Sequence, residues 1–209
     1  MASAMIHIAV ANEVNKKLGR DNKKLLIGSI APDISKLVGE DRTKSHFQLT
    51  ANDAPNLEAF LIRYKNYLDD DFVMGYYIHL YTDYLWSKYF ISEIIDKDKH
   101  VITKMDGTKI KFDTEYLLYK YVYNDYTNLN ISLIDEYNLD LKIFYEELPK
   151  LNNIIREIPM EKLDVLLNKM GEIIENSKET KLYVFDLDNI KQFISISTER
   201  ILNNIEQDL

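Results

Sequence analysis

Glycine and proline are so scarce in this chain that most of it is expected to be helical. The 209 residues include six glycines and four prolines, and the stretches between them carry apolar residues at helical spacing. Tight turns depend on these two residue types, so a fold of many short strands is disfavoured. One stretch differs: in "HVITKMDGTKIKF" two β-prone runs flank Asp106-Gly107. The predicted fold class is therefore mainly α, with many helices and one small β-hairpin near residues 100–112.

Apolar periodicity locates the individual helices. The first helix carries His7, Val10 and Val14 on its buried side and ends near Gly19. Further helices are predicted in "APNLEAFLIRYKNYL", in "DDDFVMGYYIHLYTDYLWSKYFISEII", in "DTEYLLYKYVYNDYTNLNISLIDEY", and over 140–156, 160–176 and 187–207. The polar stretch "GEDRTKSHF" is predicted to be a loop ending at His46. No linker divides the chain, so residues 1–209 are predicted to form a single domain.

Charge and cysteine content exclude several functions. The net charge of −8 opposes binding of long nucleic acids, which requires clustered Lys and Arg. Because the chain has no cysteine, any metal must be bound by His, Asp, Glu or backbone oxygen. No apolar run reaches the roughly 18 residues of a transmembrane segment, and the first residues lack the pattern of a signal peptide. These features predict a soluble, cytoplasmic protein, and they carry no indication of its oligomeric state.

The segment "YYIHLYTDYLW" places two metal-binding side chain types in an otherwise apolar helix. His79 and Asp83 are four residues apart, so both point the same way, and Gly75 leaves room beside them. A divalent cation can use this pair directly, and the alternative is a buried hydrogen bond between imidazole and carboxylate. Burying a carboxylate costs several kcal/mol unless a charge compensates it, so either interpretation requires a partner.

Three more residues of the first half are candidates for the same site. His7 lies on an apolar stripe, Asp33 follows a proline at a turn or helix start, and His46 ends a polar segment. Taken singly, they have structural explanations as a core histidine, a helix cap and a surface histidine. Together with His79 and Asp83, they form a set of imidazoles and carboxylates that suits Zn²⁺, Fe or Mn²⁺.

Three charged residues near this set have two interpretations each. Arg42 and Lys44 precede His46 and could neutralise a substrate phosphate, although solvated loop charges are the preferred interpretation. Asp125 falls on the inward stripe of its helix, where it could be a late ligand or a partner of a ligand histidine. The preferred interpretation of Asp125 is an aspartate at the rim of the stripe.

The order of these residues resembles that of a known family. The matching segments are the start of the first helix with His7, "IGSIAPD" with Asp33, "SHF" with His46, and "MGYYIHLYTD" with His79 and Asp83. All of them lie between residues 5 and 90. They resemble the zinc-dependent phospholipase C family, which is related to single-strand nucleases of the same all-helical fold.

The resemblance implies a helical domain in which a metal-activated water attacks a phosphodiester. Carried over by motif, one metal would have four ligands: Asp33, His46, His79 and Asp83. His7 would serve a neighbouring metal, with Asp83 able to bridge the two. Apart from the resemblance, Asp33 is the candidate catalytic residue, which could orient or deprotonate the metal-bound water if it is not a tight ligand. No histidine follows His100, so the family's second His-x-x-x-Glu helix has no counterpart here. The residues account for one metal and part of a second.

The predicted function is a metal-dependent phosphoester hydrolase, a phospholipase C-like phosphodiesterase. Its cofactor would be one or two divalent ions, Zn first and Fe or Mn as alternatives, and its substrate a small phosphoester or a phospholipid headgroup. The alternative is a non-catalytic helical protein in which a structural or vestigial metal site accompanies binding of a partner. A third interpretation is a helical domain without metal. The first two differ in that a catalytic site keeps an open position, whereas a structural site is closed by protein ligands.

Overall fold

The computed structural model describes residues 1–104, 106–178 and 181–208, and this part of the chain is mainly helical. The α-helices are α1 (Ala4–Leu18), α2 (Asn22–Gly28), α3 (Ile34–Val38), α4 (Arg42–Ser45), α5 (Leu57–Tyr64), α6 (Asp71–Leu85), α7 (Ile91–Ile94), α8 (Glu115–Tyr137), α9 (Leu163–Glu175) and α10 (Leu187–Asp208). The strands are β1 (Ile95–Asp96), β2 (Val101–Thr103) and β3 (Lys109–Lys111). The predicted fold class, mainly α with a small β-hairpin, is confirmed.

The small sheet contains the predicted hairpin and one further strand. Strands β2 and β3 pair antiparallel, with Ile102 opposite Ile110, and Gly107 takes a φ of 82° in the turn between them. Strand β1 adds to the other edge of β2, in the order β1-β2-β3. The sequence did not predict β1, because two residues are too few to show alternation. Ile102 is fully buried and attaches the sheet to the helices.

Shorter helical turns join several helices. In the described ranges, 3₁₀ turns lie at Ala31–Asp33, Lys65–Tyr67, Leu141–Phe144 and Met160–Lys162, and a π-helical turn at Trp86–Phe90 leads from α6 to α7. The helix predicted over 140–156 is wrong, since only its first residues are helical. Pro149 explains the difference, because proline pushes the preceding residue toward extended geometry. The extended chain that follows still buries Ile155.

Helix α1 runs through the centre of the fold. It begins after Ser3, whose hydroxyl accepts the Ile6 N–H, and it ends at Gly19 with a φ of 64°. Residues 5–11 are all buried, so α1 has little exposed surface over its first two turns. Helices α2, α6, α8 and α10 pack around it. Within the described residues no helix has both the length and the apolarity needed to cross a membrane.

Two glycines allow α2 and α6 to touch backbone to backbone. A Cβ at Gly28 would lie 2.2 Å from the Phe72 carbonyl oxygen, and a Cβ at Gly75 would lie 2.0 Å from the Leu25 carbonyl oxygen. Any side chain at either position would force the helices apart. The space beside Gly75, expected from the sequence to adjoin a ligand, is therefore filled by α2. The close crossing brings the end of α2 against His79.

Candidate metal centre

Five side chains from separate parts of the chain meet beside α6. His7 comes from α1, Asp33 from the end of the first 3₁₀ turn, and His46 from the residue after α4. His79 and Asp83 both come from α6. Four of these side chains are fully buried, whereas that of Asp33 is 22 % exposed. The structure brings together all five residues that the sequence singled out.

The donor atoms form a compact cluster. His46 Nε2 lies 3.1 Å from His79 Nε2, and it lies 3.6 Å from both Asp33 Oδ1 and Asp83 Oδ2. His79 Nε2 is 3.8 Å from Asp83 Oδ2, and His7 Nε2 is 3.3 Å from Asp83 Oδ1. The rings of His7 and His79 stack with their centroids 3.8 Å apart. Two groups of three could each hold one ion: His7, His79 and Asp83, and Asp33, His46 and His79.

These separations match the spacing of ligands around one metal ion. In a tetrahedral site with bonds of about 2.0–2.1 Å, neighbouring ligand atoms are about 3.3–3.4 Å apart. The separations in this cluster, from 3.1 to 3.8 Å, lie on both sides of that value. Imidazole nitrogens and carboxylate oxygens are also ligands that Zn²⁺, Fe and Mn²⁺ accept. The residues present therefore fit a divalent metal in both chemistry and spacing.

Hydrogen bonds fix the orientation of two of the imidazoles. Nδ1 of His79 donates to the Ser29 carbonyl oxygen at 2.7 Å. Nδ1 of His46 lies 2.9 Å from Ser45 Oγ and 3.2 Å from the Arg42 carbonyl oxygen. Because the Ser45 hydroxyl donates its proton to the Pro32 carbonyl oxygen at 2.9 Å, it also acts as an acceptor for His46 Nδ1. A carbonyl can only accept, so the partners assign the proton of each neutral ring to Nδ1. Each Nε2 then presents a lone pair, and the two lone pairs face each other across 3.1 Å. Such a contact is repulsive unless a cation satisfies both nitrogens.

A proton does not fill that role at neutral pH. Burial, reinforced by the charge of Arg42, lowers the pKa of His46 to about 3. Burial and the proximity of His7 lower the pKa of His79 well below its usual value. Both rings are therefore neutral near pH 7, which is the state in which imidazole binds metals. A metal ion would satisfy the two facing lone pairs.

The two carboxylates differ in their surroundings. Burial alone would raise the pKa of Asp83, but opposing interactions, led by that with His7, hold it well below its usual value. Its Oδ1 also accepts the Ala2 N–H at 2.9 Å. Burial raises the pKa of Asp33, and its Oδ1 has no hydrogen bond to any described residue. The same holds for both ring nitrogens of His7, so three buried polar atoms of the cluster are without hydrogen bonds in the described part of the chain.

Arg42 belongs to the cluster, and the preferred interpretation of it as a solvated loop charge is wrong. The stretch predicted to be a loop forms α4, because the Asp41 carboxylate accepts the Thr43 N–H at the helix start. The Arg42 side chain is only 19 % exposed, and its Nη2 donates to Asp83 Oδ2 at 3.1 Å. Lys44 on the same helix is exposed, as expected. The four-residue spacing of Arg42 and His46 was the signal that could have placed both on one helix face.

A cavity of about 510 Å³ adjoins the cluster. Asp33 and Arg42 line it, together with Lys36. Its other lining side chains are largely apolar and include Trp86, Val122, Tyr126, Leu166 and Met170. A second hollow of about 760 Å³ is lined by other residues, among them Leu49 and Ile62, and by none of the five cluster side chains. The candidate metal centre is therefore reached from the smaller cavity, through Asp33.

Asp125 lies in a separate buried site, so its preferred interpretation as a rim aspartate is wrong. The residue is fully buried, as the inward stripe of α8 indicated. Its Oδ2 accepts the N–H groups of Tyr183, Val184 and Phe185 at 3.1, 2.6 and 2.9 Å. Three backbone donors converge on one oxygen, and they belong to the segment just before α10. Asp125 therefore anchors that segment to α8 instead of supplying a ligand.

Comparisons with known proteins do not assign the chain to a family. No family model, no curated protein and no solved structure matches it. Its class is defined by the fold and the site alone. The chain is a mainly helical protein with buried His and Asp groups that could hold a metal ion.

Proposed function

We propose that this protein is a metal-dependent hydrolase of phosphoester bonds, of the phospholipase C-like kind. The observation that carries the proposal is the pair of facing Nε2 lone pairs of His46 and His79, 3.1 Å apart and next to a partly exposed carboxylate. A cation would stabilise two buried lone pairs that face each other, and the partly exposed Asp33 connects that cation to the cavity.

The donor set favours a particular cofactor. Three imidazoles and two carboxylates suit Zn²⁺ first, with Fe or Mn²⁺ as alternatives. Asp33, His46, His79 and Asp83 would hold one ion, and His7 with Asp83 would contribute to a second. The hydrogen bond from His79 Nδ1 to Ser29 would fix the ring orientation and raise its basicity as a ligand.

In the proposed hydrolysis, the metal ion would activate the water and the phosphoryl group, and side chains of the protein would accept the proton and exclude solvent. A bound divalent ion lowers the pKa of water toward ~7 and polarises a phosphoryl oxygen. Asp33, whose side chain is partly exposed and lines the cavity, can accept the proton of the attacking water there. The burial that raises the pKa of Asp33 makes its carboxylate a better proton acceptor. The apolar lining of the cavity would exclude bulk water from the reaction.

The cavity favours catalysis over a purely structural metal site. A structural site is closed by protein ligands on every side. Here the Asp33 side chain is 22 % exposed and lines a cavity of about 510 Å³, which is large enough for a small phosphoester. The phosphoester assignment itself rests on the resemblance to the zinc-dependent phospholipase C family in the order of the five residues.

The test combines metal analysis with turnover. Purified protein is expected to carry zinc or iron and to hydrolyse bis(p-nitrophenyl) phosphate or a related diester until a chelator removes the metal. His79→Asn should abolish both metal binding and turnover, whereas the matched variant His100→Asn, at an exposed histidine, should retain both. Bound metal without turnover across a broad panel of phosphoesters would favour the structural-site alternative. A protein that binds no divalent ion would contradict the proposal outright.

A further inference from the structure

Two side-chain hydrogen bonds hold the Arg42 guanidinium at the cluster. Its Nη1 donates to Gln48 Oε1 at 2.9 Å and its Nη2 donates to Asp83 Oδ2 at 3.1 Å. Its Nε is buried, and it makes no hydrogen bond to any residue of the described ranges. The guanidinium therefore contacts a candidate metal ligand while keeping one buried donor unused. A buried N–H without a partner costs free energy, which a ligand oxygen would recover.

The cavity beside Arg42 is lined by more basic than acidic side chains, although the protein as a whole is acidic. The chain has a net charge of −8, yet Lys36, Arg42 and Lys97 line this cavity. Two carboxylates line it as well: Asp33, which faces the cluster, and Asp53, whose Oδ2 accepts hydrogen bonds from Thr50. Basic side chains in the lining therefore outnumber carboxylates three to two, and Arg42 contacts the cluster directly, with Nη2 3.1 Å from Asp83 Oδ2.

Charge balance at the cluster indicates what the cavity binds. The charges of Asp33 and Asp83 cancel that of one divalent cation, and the neutral imidazoles carry no charge. With Arg42 included, the cluster would therefore have a net charge of +1. A phosphodiester carries one negative charge. Arginine presents N–H donors in a fixed planar fork that matches two oxygens of a phosphoryl group. A lone ammonium group would supply the charge without that geometry.

We propose that Arg42 is the anion-binding residue of this site and holds a non-ester oxygen of the phosphoryl group next to the cation. This inference rests on the proposed function, since it assumes a divalent ion at the cluster. It assigns the ligand class as an oxyanion of phosphorus, either an ester or inorganic phosphate. Through Asp83, the same guanidinium keeps its position whether or not the anion is bound.

The test measures binding of inorganic phosphate to the zinc-loaded protein by titration calorimetry. Arg42→Met should weaken phosphate binding about 10- to 100-fold, because a charge-assisted hydrogen-bond donor is lost. Arg42→Lys should fall between this variant and the wild type, since it keeps the charge and loses the fork. Lys44→Met is the matched control: it removes the same charge from the exposed face of the same helix and should leave phosphate binding unchanged.

Zinc affinity is measured separately for each variant by competition with a chelator. It separates a failure of the proposed function from a failure of the inference about Arg42. Wild-type protein that binds no zinc would contradict the proposed function itself. Zinc-loaded wild type that binds no phosphate, or an Arg42→Met variant that binds phosphate as Lys44→Met does, would overturn the inference about Arg42 alone. If both Arg42 variants lose zinc affinity in proportion to phosphate affinity, Arg42 only positions Asp83, and the inference is also overturned.

Discussion

Two buried aspartates, Asp83 on α6 and Asp125 on α8, show how differently one helical protein can accommodate a carboxylate. Both side chains are fully buried. Asp125 is surrounded by backbone N–H groups of residues 183–185, which are neutral and fixed by the chain. Asp83 accepts one backbone N–H, that of Ala2 at 2.9 Å, and its other neighbours are side chains: Arg42 at 3.1 Å and the three imidazoles at 3.3 to 3.8 Å.

The difference separates a structural role from a chemical one. Three backbone donors and the Asn124 side-chain amide satisfy both oxygens of Asp125, so this carboxylate needs no ion. Imidazoles at 3.3 to 3.8 Å are too far from Asp83 for good hydrogen bonds, but they stand at the spacing of fellow ligands. Burial alone therefore does not identify a functional carboxylate, whereas the nature of its partners does.

Asp83→Asn should produce the largest effect, the loss of metal binding. Loss of a residue that only hydrogen-bonds to a metal ligand typically lowers metal affinity about 10- to 100-fold. Loss of a ligand itself should therefore lower it on the order of 1,000-fold. Asp135→Asn, at an exposed aspartate of α8, is the control and should bind metal normally. Chelator competition measures both. Equal metal affinity in the two variants would remove the distinction drawn between the two buried aspartates.

Asp125→Asn should act on stability instead of metal binding. An amide offers one acceptor oxygen and places N–H groups against backbone donors, so unfolding free energy should fall by about 3 kcal/mol. The folded fraction should still bind metal with the affinity of the wild type. Urea denaturation and zinc titration report the two quantities separately. Loss of metal affinity in the folded protein would show that Asp125 is coupled to the site.

The backbone contact that positions His79 can be tested at Gly75. Gly75→Ala should destabilise the protein by about 1–3 kcal/mol and weaken metal binding, because a Cβ would lie 2.0 Å from the Leu25 carbonyl oxygen. Gly171→Ala in α9 is the matched control, since its Cβ would meet nothing closer than 3.6 Å. That variant should be as stable as the wild type or more stable by up to about 1 kcal/mol. Thermal denaturation that ranks the two variants in the opposite order would contradict the proposed helix crossing.

Acid should destabilise the metal-free protein through the buried histidines. Their pKa values are lowered in the folded state, to about 3 for His46, so the unfolded chain binds more protons below its own pKa of about 6.5. Stability therefore falls as pH falls, by about 1.4 kcal/mol per pH unit for each such histidine. Between pH 6.5 and 5, His46→Asn should flatten this dependence. The wild type is the reference for the slope, and a His46→Asn curve parallel to that of the wild type would contradict the lowered pKa of His46.

Local patterns in the sequence were sufficient for most of the longer helices and for the local geometry of His79, Asp83 and Asp33. The spacing of His79 and Asp83 determines their common direction on α6, and the proline before Asp33 determines the turn that exposes its carboxylate. Tertiary packing brings these three residues together with His7 and His46. The sequence indicates that packing only through the order of its motifs. The sequence does not predict the close contact of α2 with α6. Gly75 indicates that something packs closely there, but only the fold shows that it is the backbone of α2.

The failures have equally specific causes. The helix predicted over 140–156 had suitable apolar spacing, but Pro149 prevents it from continuing. The polarity of its segment predicts a loop at Arg42, whereas the short helix α4 depends on a cap at Asp41 that polarity does not reveal. Asp125 was placed on the inward stripe correctly, but its partners lie about sixty residues further on. Non-local hydrogen bonds of this kind leave no periodic signal.

Metal binding by the His and Asp cluster can be tested directly by anomalous diffraction at the zinc edge from crystals grown with Zn²⁺. A peak is predicted within about 2.0–2.2 Å of Nε2 of His46 and His79 and of at least one oxygen of Asp33 or Asp83. The same map would show whether a second ion lies beside His7. Zinc peaks elsewhere on the protein with none in the cluster would contradict the assignment of these residues as a metal centre.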